Sequence, residues 1–235
     1  MIDWIAFDAD DTLWRNEEYY LEGRAQFFKI LSKYDLDHEE IRQFDRFEVD
    51  NIQYFGYGAM SFILSMIELA IRITEERIHP GDIQQIIQLG KKMLTHEVVL
   101  FQGVGELLEA LSPVYPLMLI TKGDLFHQQR KFKASGLSGY FKALEVVSEK
   151  DPEVYTEILQ RYGIRPDRFL MIGNSLRSDI LPVLEVGGWA LHLANHPTWS
   201  HEDDPLAEST PDRYLKVESI PGIYGRLLGA GLLQG

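Results

Sequence analysis

The chain has 235 residues and a mass of 27.1 kDa, which suits one large domain or a core with an inserted module. Its apolar fraction of 45% and charged fraction of 25% are ordinary globular values and exclude a disordered, collagen-like or coiled-coil chain. Lys and Arg number 23 against 36 Asp and Glu, and this net charge of −13 argues against non-specific binding to nucleic acid or anionic membranes.

The first residues predict a buried strand that ends in an acidic turn. Ile2 to Phe7 is short, apolar and rich in residues that favour strands, and it runs directly into Asp8-Ala9-Asp10-Asp11-Thr12. We therefore expect the side chains that follow this strand to lie at one end of a sheet.

The segment from about residue 15 to residue 97 predicts helices and contains no convincing strand. Asn16 is placed to cap a first helix, Asp37 to open a second, and Ala59 to Ile73 continues the helical spacing of apolar residues after Gly56 and Gly58. A fourth helix follows Pro80-Gly81-Asp82. This block predicts an all-helical module.

From residue 98 onward, predicted helices and strands alternate. Helices are predicted at Val104 to Leu111, Asp124 to Ser135, Pro152 to Tyr162 and Ser178 to Val186, and strands at Leu117 to Thr121, Ala143 to Val147, Phe169 to Ile172 and Trp189 to Leu193. Strict alternation indicates a parallel sheet covered on both faces. The predicted fold is therefore α/β: a Rossmann-like, doubly wound core of residues 1–14 and 98–235, with an all-helical domain of residues 15–97 inserted after the first strand.

Polar side chains follow the first four of the five predicted strands, at the edge where an open parallel sheet binds its ligands. They are Asp8, Asp10 and Thr12 after the first strand, Thr121 and Lys122 after the second, Lys150 after the third, and Asn174, Ser175 and Asp179 after the fourth.

These residue types favour phosphate chemistry with a hard cation. Asp8 and Asp10 are two residues apart, so an extended backbone directs both carboxylates to the same side, and a divalent cation holds such a pair together. Oxygen ligands favour Mg²⁺, which usually shares its shell with water and substrate phosphate. A lysine and hydroxyl groups would bind the phosphate oxygens, and a helix beginning near Ser178 would add its positive dipole.

The same residues resemble, in order, the four motifs of the haloacid dehalogenase superfamily, and the resemblance extends over about the whole chain. The matching segments are Phe7-Asp8-Ala9-Asp10-Asp11-Thr12-Leu13, then Thr121, Lys150, and Gly173-Asn174-Ser175-Leu176-Arg177-Ser178-Asp179.

The resemblance implies a phosphatase mechanism with Mg²⁺ as the cofactor. Asp8 would be the nucleophile and Asp10 the general acid and base. Thr121 and Lys150 would complete the catalytic set and hold the phosphoryl group together with Asp8. The metal ligands would be Asp8, Asp10 through its carbonyl, and Asn174 and Asp179 from the fourth motif. The helical insertion would be a cap that closes over the site.

Two positions depart from the family pattern. Asn174 stands where related phosphatases usually carry Asp, which leaves open whether Asn174 or Asp179 is the direct metal ligand. The third motif reads Lys150-Asp151-Pro152, where many relatives have another residue before the proline. For that reason Lys122 is a competing phosphate ligand.

The leading functional hypothesis is a Mg²⁺-dependent phosphohydrolase acting on a small phosphorylated metabolite. A metal-free 2-haloacid dehalogenase is the first alternative, although such relatives generally lack the second aspartate, here Asp10. A catalytically weakened binding or regulatory protein, with Asn174 marking a damaged metal site, is the second. The chain has no Cys and no recognisable leader or membrane segment, so we expect a cytoplasmic protein without nucleic-acid or membrane partners. The physiological substrate and the oligomeric state stay open.

Overall fold

The computed structural model describes residues 1–34, 44–194, 196–202 and 212–233. The chain divides into two compact units, one formed by Met1–Glu17 with Val98–Gly235 and the other by Glu18–Glu97. Each unit has its own apolar core.

The first unit is built on one six-stranded sheet in which every pairing is parallel. Its strands are β1 (Trp4–Phe7), β2 (Leu117–Lys122), β3 (Phe141–Val147), β4 (Phe169–Gly173), β5 (Trp189–Leu193) and β6 (Tyr214–Val217). The spatial order is β3-β2-β1-β4-β5-β6, so β1 lies in the middle and the order reverses on either side of it. The predicted Rossmann-like, doubly wound sheet is confirmed.

Alternating side chains of the strands supply two separate cores, as expected for a sheet covered on both faces. Ile5 and Phe7 of β1 join one core with helices α5 (Val104–Leu111) and α9 (Pro221–Gly229). Ala6, between them, joins the opposite core with α7 (Pro152–Tyr162) and α8 (Leu181–Glu185). The sequence shows no polar alternation in β1 because both faces are buried.

Apart from shifts of one or two residues at the ends of elements, three features of this unit differ from the sequence prediction. The helix predicted to begin near Ser178 begins at Leu176, with one turn of π-helix over Leu176–Ile180 before α8. The sequence analysis also missed β6 and α9. β6 has only four residues, too few for a clear periodic pattern.

In the part of the second unit that the structure describes, the regular elements are all helices. Its helices are α1 (Glu17–Leu31), which begins at the last residue of the first unit, α2 (Phe44–Phe55), α3 (Ala59–Ile73) and α4 (Pro80–Leu94). They enclose an apolar core that includes Phe27, Phe62, Met66 and Ile86. The helix start predicted at Asp37 lies outside the described residues. Within the described chain, no helix is both long enough and apolar enough to cross a membrane.

Candidate active site

The carboxyl ends of three neighbouring strands bring the predicted residues to one edge of the sheet. Asp8 directly follows β1, and β1 pairs with β2 on one side and β4 on the other. Thr121, near the end of β2, is buried, and Asn174 directly follows β4. This is the edge at which the sequence analysis placed the site.

A buried ammonium joins two carboxylates at this edge. Lys150 Nζ donates to Asp8 Oδ1 at 2.5 Å and to Asp179 Oδ1 at 2.7 Å. The Lys150 and Asp179 side chains are only 2% and 1% exposed, and that of Asp8 is 10% exposed. Residues from the loops after β1, β3 and β4 therefore form one cluster, and Asp8 is its most accessible member.

This cluster holds two carboxylates against one ammonium, which leaves a surplus of negative charge. Burial chiefly raises the pKa of Asp8 to about 7; Lys150 opposes the rise and Asp179 adds to it. Burial alone would lower the pKa of Lys150, but Asp179 and Asp8 outweigh it, so the pKa is raised and the side chain stays cationic. The cluster is therefore suited to receive a further positive charge.

Asp179 is fixed by the turn that begins at Ser175. The Asp179 amide donates to the Ser175 carbonyl at 3.0 Å, and the Ser175 amide donates to Asp179 Oδ2 at 3.1 Å. The Ser175 hydroxyl accepts the Ser178 amide and caps the turn. Both oxygens of the Asp179 carboxylate therefore have defined partners.

The Asp179 carboxylate packs against Gly173, where there is no room for a side chain. A Cβ at residue 173 would lie 2.2 Å from Asp179 Oδ2 and 2.3 Å from Asp179 Cγ. We expect Gly173→Ala to displace the Asp179 carboxylate. The kcat for hydrolysis of p-nitrophenyl phosphate should then fall by about 10- to 100-fold. Steady-state kinetics would measure the loss. Gly139→Ala is the control, because a Cβ there meets nothing within 4 Å; equal activity in both variants would contradict this account.

Asp10 has a different set of partners from Asp8. Lys131 Nζ lies 2.6 Å from both carboxylate oxygens, Gln128 Nε2 donates to Oδ2 at 2.9 Å, and Trp14 Nε1 donates to Oδ1 at 2.6 Å. Gln128 and Lys131 lie three residues apart on helix α6 (Leu125–Ala134), so they share a face. The sequence analysis missed both, and their spacing on the polar face of this helix was the available signal.

The partners of Asp10 lower the pKa of its carboxyl group. Burial by itself would raise the pKa of Asp10, but the Lys131 ammonium and the bonds from Gln128, Lys131 and Trp14 lower it overall. We expect Lys131→Met to raise this pKa, and a ¹³C titration of the aspartate carboxyl groups would measure the shift. Lys133→Met, at an exposed position of the same helix, should leave it unchanged. An unaltered Asp10 titration in Lys131→Met would contradict the assignment.

Asn174 is held between the first motif and a loop after β5. Its Oδ1 accepts from the Thr12 hydroxyl at 3.1 Å, and its Nδ2 donates to the Pro197 carbonyl at 2.7 Å and to Thr198 Oγ1 at 3.2 Å. The amide donors require that Oδ1, and not the nitrogen, points toward Thr12. That oxygen retains a second lone pair.

Lys122, the competing phosphate ligand, has partners from the segments that follow β3, β4 and β5. Its Nζ donates to Glu202 Oε1 at 2.6 Å, to Ser178 Oγ at 2.8 Å and to Glu149 Oε1 at 3.2 Å. The structure therefore places the Lys122 ammonium with Glu202, whereas Lys150 is the lysine joined to Asp8.

Glu202 is a buried carboxylate that the sequence analysis did not identify. Burial alone would raise its pKa, but Lys122 and the hydroxyls of Ser178 and Ser175 lower it to about 2. Glu202 belongs to the short helical turn Ser200–Glu202, and the polar sequence of residues 195–211 around it gives no sign of such a role. Glu202 is thus ionised at neutral pH.

Comparison with known proteins identifies the family. The family model described as haloacid dehalogenase-like hydrolase matches residues 2–187. The chain belongs to this family. A haloacid dehalogenase-like family hydrolase from Xanthomonas campestris is 43% identical, covers 98% of this chain and 93% of its own, and superposes with a TM-score of 0.84.

Curated relatives of this haloacid dehalogenase-like hydrolase are phosphatases. The mouse N-acylneuraminate-9-phosphatase is 27% identical over 194 residues, 78% of each chain. The glyceraldehyde 3-phosphate phosphatase of Methanothermobacter thermautotrophicus is 25% identical over 217 residues, 86% of this chain and 90% of that protein. The predicted enzyme class, a phosphatase of the haloacid dehalogenase type, is confirmed.

The donor set of the hydrolase fits a hard cation. Asp8 and Asp179 would supply carboxylate oxygens, Asn174 an amide oxygen and Asp10 a backbone carbonyl, and these are ligand types that Mg²⁺ prefers. The excess negative charge of the Asp8–Lys150–Asp179 cluster also favours binding of a cation. Among the described residues, no three His, Asp or Glu side chains converge into a preformed metal cluster, so a cation here would need the amide and carbonyl oxygens or water.

Proposed function

We propose that this protein is a Mg²⁺-dependent phosphohydrolase that cleaves a small phosphate monoester through an aspartyl-phosphate on Asp8. The observation that supports it most is the buried Lys150 ammonium between Asp8 and Asp179, at the carboxyl edge of the sheet. Such a cluster presents the most accessible carboxylate, Asp8, next to a fixed positive charge.

In the first step an Asp8 oxygen attacks the phosphorus, and the bond from phosphorus to the leaving oxygen breaks. Asp10 gives a proton to the leaving oxygen. Because its partners lower the pKa of Asp10, this carboxylate has to take up the proton when the anionic substrate binds. In the second step a water oxygen attacks the same phosphorus, Asp10 takes the proton of that water, and the bond to Asp8 breaks to release phosphate. Lys150 and Thr121 bind the oxygens of the phosphoryl group throughout.

A bound Mg²⁺ would neutralise charge on the phosphoryl oxygens and orient them. The ligands proposed for it are Asp8, the Asp10 carbonyl, Asn174 and Asp179. Asn174 would contribute a neutral oxygen because its side chain is an amide, so the carboxylate charge falls on Asp8 and Asp179.

The substrate proposed is a small phosphorylated metabolite. The relatives named above are, by their names, an N-acylneuraminate-9-phosphatase and a glyceraldehyde 3-phosphate phosphatase. The helical unit, residues 18–97, is the proposed cap and the proposed source of substrate specificity. A cytoplasmic location stays a prediction.

The test is turnover of p-nitrophenyl phosphate with Mg²⁺ and after treatment with EDTA, followed by a panel of sugar phosphates, triose phosphates and nucleotides. We expect turnover that EDTA abolishes and added Mg²⁺ restores. Hydrolysis that survives EDTA would contradict the metal requirement. Halide release from 2-chloropropionate without phosphatase activity would instead support the dehalogenase alternative, against which Asp10 argues.

A further inference from the structure

We infer that Glu202 is a positioning residue that fixes the loops after β2, β3 and β4, and thereby holds Lys150 and Asp179 in place beside Asp8. The inference rests on the proposed function for its kinetic consequences only. Among the bonds between described residues, none joins Glu202 directly to Asp8, Lys150 or Asp179, so Glu202 acts through others.

The first route runs through the turn after β4. Glu202 Oε2 accepts from the Ser175 hydroxyl at 2.7 Å and also from the Ser178 hydroxyl, and the Glu202 carbonyl accepts from Ser175 Oγ at 3.1 Å. Ser175 in turn exchanges backbone and side-chain bonds with Asp179. Glu202 therefore holds both ends of the turn that carries Asp179.

The second route runs through two charged side chains. Glu202 Oε1 accepts from Lys122, and Lys122 also donates to Glu149 Oε1 at 3.2 Å. The same Glu149 oxygen accepts the backbone amide of Lys150 at 2.9 Å. Glu202 is thus linked through Lys122, at the end of β2, and Glu149 to the backbone amide of Lys150.

The two routes meet at the Lys150–Asp179 ion pair and use different oxygens of one carboxylate. Glu202 is only 9% exposed, and a buried carboxylate that accepts bonds from three side chains is costly to leave half satisfied. A neutral amide at this position supplies one oxygen instead of two and donates where the partners also donate. We therefore expect Glu202→Gln to loosen both loops at once without removing any group from the cluster.

The experiment compares the full-length protein with Glu202→Gln, Ser178→Ala and the double variant. Glu218→Gln is the matched control, since Glu218 is exposed on the same unit. Hydrogen–deuterium exchange is measured first, because it does not depend on knowing a substrate. In Glu202→Gln we expect exchange to rise about tenfold or more in residues 149–151 and 174–180, and less than about twofold elsewhere. A general loss of stability would raise exchange across the whole unit.

Kinetics and metal titration complete the test. We expect kcat for p-nitrophenyl phosphate to fall about 10- to 100-fold with KM changed by less than about threefold, and Mg²⁺ to bind more weakly by calorimetry. The double variant should be no worse than Glu202→Gln alone, because the two residues share one network.

Exchange that stays at the original rate in residues 149–151 and 174–180 overturns the inference, whether or not the protein proves to be a phosphatase. If Glu202→Gln does not fold, Ser178→Ala decides: local exchange limited to those segments supports the inference, and unchanged exchange refutes it. Absence of phosphatase activity in the original protein, with the expected exchange pattern, would refute the proposed function and leave the role of Glu202 standing.

Discussion

Replacing Asp8 by Asn is expected to abolish phosphatase turnover without destabilising the protein. The asparagine amide is not a nucleophile and cannot form an acyl phosphate, so kcat should fall at least about 1000-fold. Stability should be maintained or increased, because the substitution removes one of two carboxylates that face a single buried ammonium. The pKa of Asp8 is raised to about 7 because burial and the Asp179 carboxylate destabilise its ionised form in the folded protein.

Two measurements on the same sample decide this prediction: p-nitrophenyl phosphate turnover with Mg²⁺, and the midpoint of urea unfolding at pH 8. Asp3→Asn is the matched control, since the Asp3 side chain is 61% exposed on the same unit. Turnover within tenfold of the original protein would refute Asp8 as the nucleophile. A large loss of stability would show that Asp8 is needed for folding.

Replacing Lys150 by Met is expected to reduce both activity and stability. The substitution leaves Asp8 and Asp179 facing each other without their shared ammonium, in a place where the Lys150 side chain is only 2% exposed. Loss of one partner from a buried ion pair costs about 3–5 kcal/mol, and loss of a charge aimed at the phosphoryl group costs about 100- to 1000-fold in kcat. Asp8→Asn is therefore expected to keep or raise the stability of the protein, whereas Lys150→Met is expected to lower it.

Urea unfolding and steady-state kinetics measure these losses, with Lys142→Met as the control at an exposed position of β3. Lys150 lowers the pKa of Asp8, so in Lys150→Met this pKa lies above the value of about 7 that it has beside the ammonium. The stability loss should therefore shrink as the pH falls toward about 7 from above, since protonation of Asp8 relieves the repulsion. A Lys150→Met protein with the original activity would mean that another cation, such as Lys122, serves the phosphoryl group.

The fold and the Asp8–Lys150–Asp179 cluster could be anticipated from the sequence because both follow from strand ends. Parallel strands deliver the residues after them to one edge, so Asp8, Lys150 and Asp179 were found although they are far apart in the chain. The start of the helix after Asn174 was placed at Ser178 instead of Leu176. The capping role of Ser175 depends on a turn geometry that the sequence pattern does not reveal.

The residues that support the cluster were not predictable in the same way. Lys131 contacts Asp10 from a helix, and Glu202 contacts Ser178 from a short helical turn in a polar stretch of sequence. Neither follows a strand directly, and lysine and glutamate in such segments are usually solvated. Lys122 was assigned by its position at the end of β2, yet its partners Glu149 and Glu202 come from loops whose paths only tertiary structure defines.

The most direct test of the account is to trap the covalent intermediate. The protein is mixed with a substrate and Mg²⁺, quenched with acid, reduced with borohydride, and digested for mass spectrometry. A phosphorylated aspartate is reduced to homoserine, and the account predicts homoserine at residue 8, none at residue 10, and none at either position in Asp8→Asn. Turnover without modification of residue 8, or homoserine at another aspartate, would contradict it.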